Sequence, residues 1–72
     1  MRCTYKDDFL VDYSGSLHIS KGEGVDLVVK ENLIPSNIKS SLDSAVTRND
    51  CHELRAASRV FTDTIQAAIG KE

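Results

Sequence analysis

The sequence predicts an α+β fold: a three-stranded antiparallel β-meander followed by a helical hairpin (βββαα), with both helices on one sheet face. Three observations predict it. Apolar residues recur with period two through the first half of the chain. They recur with helical spacing through the second half. Turn-forming clusters separate the runs.

The first strand is read from Phe9, Val11 and Tyr13, which alternate with Asp8, Leu10 and Asp12. Leu17 and Ile19 alternate with Ser16, His18 and Ser20 in the second. Val25, Leu27 and Val29 alternate with Asp26, Val28 and Lys30 in the third. Ser14-Gly15 and Lys21-Gly22-Glu23-Gly24 are the turns between them. Parity selects the register. A two-residue turn at Ser14-Gly15 would set Val11 beside His18, whereas a three-residue loop pairs Tyr13 with Leu17 and Val11 with Ile19. A slip of one residue moves every side chain to the other face, so the odd loop is expected. The same reasoning pairs Ile19 with Val25 and Leu17 with Leu27 across the second turn.

Pro35 ends the extended stretch and suits a helix start, with Ser36 or Asn37 as its cap. Ile38, Leu42, Ala45 and Val46 fall on one helical face. A break is expected at Arg48-Asn49-Asp50, where Asp50 with Glu53 resembles a capping arrangement. Leu54, Ala57, Ser58, Phe61, Ile65, Ala68 and Ile69 then share a face, and Gly70 suits the C-cap. At about 100° per residue, one unbroken helix would set Leu42 roughly 120° from the Leu54–Phe61–Ile65 stripe. A bend lets both stripes face one core. The chain therefore reads as one domain, 1–72, with the meander over about 5–30 and helices over about 36–47 and 51–69. The expected core is Phe9, Val11, Leu17, Ile19, Val25, Leu27, Val29, Ile38, Leu42, Val46, Leu54, Phe61, Ile65 and Ile69.

Composition bounds the function. The chain is 40% hydrophobic and 28% charged, too apolar for a disordered chain and too mixed for a membrane span. No apolar run approaches the roughly 20 residues a spanning helix needs. Met1 to Asp8 lacks the apolar stretch of a signal peptide, so a cytoplasmic location and free thiols at Cys3 and Cys51 are expected. A net charge of −2 argues against general nucleic-acid binding, leaving only a local basic cluster for that purpose.

Two clusters are candidate sites. Arg48, His52, Arg55 and Arg59 are spaced to form a stripe on the outer side of the second helix. Guanidiniums in a row can grip phosphates or carboxylates bidentately. A solvated helix face balanced by Glu53 and Asp63 is the plainer reading. On the outer sheet face, Asp12, His18 and Asp26 are expected side by side, with Leu10 and Val28 as a small apolar patch around His18. A weak metal site is one reading there, and edge electrostatics on a wet face the other. Cys51-His52 with Cys3 and His18 lacks zinc-ligand spacing, and adjacent residues on a helix diverge by about 100°. The loop Lys21–Gly24 leads into a strand rather than a helix, so it is read as a turn and not a phosphate cradle.

No nucleophile stands beside a convincing base, and no cofactor or metal is expected. The expected function is a small non-enzymatic interaction or regulatory protein whose partner is another protein or a second copy of itself. The alternative is a dimeric nucleic-acid-binding regulator using the arginine stripe. No membrane association is expected.

Overall fold

The structure, a computed structural model, describes residues 1–22 and 24–69. Gly70, expected as a C-cap, and Glu23 of the second turn lie outside the described residues. The fold is α+β. Four antiparallel strands, β1 (Arg2–Thr4), β2 (Phe9–Ser14), β3 (Ser16–Lys21) and β4 (Asp26–Val29), pair in sequence order. A 3₁₀ turn at Glu31–Leu33 leads into α1 (Ser36–Arg48), α2 (Cys51–Ala57) and α3 (Arg59–Ile69).

The meander thus has one strand more than the three expected. Met1, Cys3 and Tyr5 alternate with Arg2, Thr4 and Lys6, and this short run pairs Arg2 with Asp12, Cys3 with Val11 and Thr4 with Leu10. Asp8, at φ 67°, closes the turn that returns the chain into β2. The register of β2 on β3 follows the parity argument: Tyr13 pairs with Leu17 and Val11 with Ile19. Gly15 supplies the left-handed residue at that turn, with φ 92°. The register of β3 on β4 differs by two residues from expectation: Ile19 pairs with Leu27 and Leu17 with Val29. A shift of two leaves every side chain on its expected face. It draws Val25 into the loop, where its carbonyl accepts from Lys21 N–H at 3.0 Å.

All helices cover one sheet face. Phe9, Val11, Tyr13, Leu17, Ile19 and Val29 from the sheet share one core with Ile34, Leu42, Ala45, Leu54 and Ile65. Several expected core residues lie further out. Val25, Leu27, Ile38 and Phe61 are half-buried at its margin, and Val46 and Ile69 are exposed. Cys3 and Tyr13 are buried in their place, since both stand on the inner face of their strands.

Helix ends follow local chemistry. Pro35 itself takes the N-cap position of α1, and neither Ser36 nor Asn37 makes the expected side-chain cap. Asn49 turns left-handed (φ 52°, ψ 46°) and ends α1, with Asp50 N–H donating to the Ala45 carbonyl at 3.0 Å. Asp50 then caps α2, its carboxylate accepting from His52 N–H at 3.0 Å and Glu53 N–H at 3.2 Å. The helical run over about 51–69 is interrupted at Ser58. The fully buried Ser58 hydroxyl donates back to the Leu54 and Arg55 carbonyls, a bond pattern that bends helices. No helix among the described residues is long and apolar enough to cross a membrane.

The cysteines are a clear correction. Cys3 and Cys51, expected as free thiols, form a disulfide with their Cα atoms 5.8 Å apart. Cys3 points into the core from β1, and the break at Asn49-Asp50 returns the chain so that Cys51 begins α2 over it. That separation lies inside the range a disulfide spans. The sequence distance between them concealed the proximity.

Candidate functional site

The arginine stripe is distributed over three elements. Arg48 is the last residue of α1, not part of the second helix, and its guanidinium lies 3.6 Å from Glu53. His52 is exposed in the first turn of α2, and Arg59 opens α3, 3.7 Å from Asp63. An open groove of about 400 Å³ is lined by His52, Arg55, Arg59, Thr62, Asp63 and Gln66. The charge of the arginine stripe is balanced. Arg48, Arg55 and Arg59 are met by Glu53, Asp7 and Asp63.

Arg55 is a structural residue rather than a free cation. Its two terminal nitrogens donate to the two carboxylate oxygens of Asp7 at 2.7 and 2.6 Å. The same guanidinium sits 5.1 Å from the Tyr5 ring centroid and 4.9 Å from that of Phe9. The forked bond to Arg55 is the main reason the Asp7 carboxyl is held down at about 2. The same bond raises Arg55. The Tyr5 hydroxyl donates to the Cys51 carbonyl at 2.5 Å, and burial pushes its pKa up. Lys21 bonds the Asp7 backbone carbonyl and stands 4.8 Å from the Phe9 ring centroid. Together with the disulfide these contacts pin β1 and its turn to α2. A cleft of about 540 Å³ opens beside them, lined by Tyr5, Lys6, Asp7, Cys51, His52 and Arg55. Asp7 and Tyr5 carry no sequence spacing that announces this cluster; only the alternation of Met1, Cys3 and Tyr5 hints that they lie at a strand end.

A second polar link ties the sheet to α1. The Tyr13 hydroxyl donates to Asp43 at 2.9 Å, and burial with that bond pushes Tyr13 up to about 12. Lys39 meets Glu31 at 2.6 Å nearby. Among the described residues, no buried side-chain nitrogen or oxygen lacks a hydrogen-bond partner.

The outer sheet face brings its expected residues together. His18 pairs with Asp12 on β2 and with Val28 on β4. Asp26, two residues from Val28, reaches the His18 Nε2 at 3.3 Å. Leu10 is half-buried and Val28 is 60% exposed. Among the described residues no group of three histidine, cysteine, aspartate or glutamate side chains is placed to hold a metal ion. The face therefore offers a mixed surface: one imidazole, two carboxylates, and the apolar side chains of Leu10 and Val28.

Comparison with protein-family models, with curated proteins and with solved structures finds no match.

Proposed function

We propose that this protein is a non-enzymatic interaction domain that presents its bare sheet face to a protein partner. One observation carries the reading. All three helices occupy the inner face, while the outer face with Leu10, Asp12, His18, Asp26 and Val28 is left to solvent. A mixed face of this kind, with an exposed valine on β4, a half-buried leucine two strands away on β2 and charges between and around them, fits the polar-rimmed character of protein contacts. A regulatory role through such contacts is the functional class that follows.

The nucleic-acid alternative draws less support. Phosphate binding needs surplus positive charge, and each guanidinium of the stripe has a carboxylate within 4 Å. Arg55 in particular would have to abandon Asp7 and two aromatic rings. The expectation of a cytoplasmic location came with free thiols at Cys3 and Cys51; the Cys3–Cys51 bridge instead favours an oxidising environment.

The test is affinity capture with the bridged wild type, a Leu10→Lys/Val28→Lys variant of the sheet face, and an Arg59→Glu variant of the helix face. The expected outcome is a defined partner that is lost with the sheet variant and kept with Arg59→Glu. Loss with Arg59→Glu and retention with the sheet variant would overturn the reading.

A further inference from the structure

We infer that β4 is a self-pairing edge, and that a second copy of this chain adds to it antiparallel about a two-fold axis at Val28. The inference deepens the interaction-domain reading by naming one partner and its register. β4 ends the sheet, with β3 as its neighbour on one side only. Its backbone alternation is set by that neighbour. Lys21 N–H bonds Val25 across the end of the ladder, and Ile19–Leu27 and Leu17–Val29 follow in the same phase. Bonded and non-bonded pairs alternate in an antiparallel ladder. The N–H and C=O groups of Val25, Leu27 and Val29 therefore face β3, and those of Asp26, Val28 and Lys30 face outward.

The three outward residues, acid, apolar and base, are complementary in charge to their own reverse. Centring the two-fold at Val28 sets Val28 against Val28 of the second copy. It sets Asp26 against Lys30 of the second copy, and Lys30 against Asp26. Asp26 and Lys30 are exposed and Val28 is 60% exposed, so the cross-strand pairs form without moving any buried group. On the inner face the same register lays half-buried Leu27 beside Val29 of the second copy and extends the core across the seam. Slipping by two residues pairs Val28 with a charge twice over and leaves the remaining charge unmatched. Parallel addition brings each charged residue beside its like. Natural edges are usually guarded by a central lysine, a proline or a bulge, and β4 has none of these between Asp26 and Val29. β1, the opposite edge, is three residues long and offers only Arg2 and Thr4 outward.

The seam is short. Val28 contributes two backbone hydrogen bonds, and Lys30 N–H to the Asp26 carbonyl contributes two more. The Lys30 carbonyl already accepts from Leu33 N–H at 2.8 Å, so further bonds there are shared. Such a contact makes a concentration-dependent dimer rather than a permanent one.

Sedimentation equilibrium over rising concentration tests this with the bridged protein. Wild type is expected to move from 7.9 kDa toward twice that mass. Lys30→Asp sets carboxylates against carboxylates and should weaken association on the order of ten-fold. The exchange Asp26→Lys with Lys30→Asp restores opposite pairs and should restore association. Val28→Pro deletes the outward N–H at a position where an edge strand tolerates proline, and should leave a folded monomer. A wild type that stays at 7.9 kDa at millimolar concentration, or an exchange variant no better than Lys30→Asp, overturns the inference. Failure here with partner capture still sensitive to Leu10→Lys/Val28→Lys removes the dimer and leaves the interaction domain standing.

Discussion

Breaking the Cys3–Cys51 bridge should remove about half of the stability of this domain. A chain of this size has a thin core, and without a staple such cores supply about 3–5 kcal/mol. The bridge closes a sequence separation of 48 residues. In the chain-entropy description, a loop of that length costs the unfolded state about 13.6 cal/mol/K, or about 4 kcal/mol at 25 °C. The two figures are equal in size. Reduction, or Cys3→Ala with Cys51→Ala, should therefore lower the urea midpoint sharply and lower Tm by about 16–32 °C. Cys3 is 2% exposed, so the alanine variant also loses some core contact. Reduced wild type retains both sulfurs and separates the two effects. The assay is urea unfolding followed by far-ultraviolet circular dichroism, with and without reductant, beside a thiol titration of the native protein. Free thiols in the native protein, or a loss below about 1 kcal/mol on reduction, would refute the reasoning.

Two further predictions concern local chemistry. Asp50→Ala should cost about 1 kcal/mol, because two α2 backbone N–H groups lose their acceptor, while Asp50→Ser should recover most of it; equal losses in urea unfolding would show that the cap is not the cause. Asp7 is depressed from 3.8 to about 2 by Arg55, so its stabilising effect is full above about pH 4 and fades as pH falls toward 2. The stability gap between wild type and Asp7→Asn should close over that window, and a gap unchanged at pH 2 would sink the assignment.

Much of the fold was legible because periodicity and turn chemistry are local. The inner-face residues of β2 and β3 and the capping Asp50 all announce themselves in neighbouring residues. The extra strand was also signalled, by Met1, Cys3 and Tyr5, but three alternating residues before a charged turn make a weak pattern. The register of β4 was ambiguous for a different reason. A slip of two residues preserves every face, so burial patterning cannot detect it. The loop through Gly22 and Gly24, at φ 59° and 89°, decided it instead. The candidate sites divided in the same way. His18, Asp12 and Asp26 meet because strand parity brings them together. The arginine stripe dispersed because Asn49 ends α1 after Arg48 and because Asp7, far away in sequence, captures Arg55.

Sequence alone determined which side of β2, β3 and β4 is apolar, that the helical half breaks at Asn49-Asp50, and that a thin α+β core results. Tertiary structure decided who meets whom across long separations: Cys3 with Cys51, Asp7 with Arg55, and Tyr13 with Asp43. The physical reason is that hydrophobic patterning is set by nearest neighbours along the chain. A covalent bridge or a forked ion pair depends on the three-dimensional approach of two backbones, and no local signal encodes that distance.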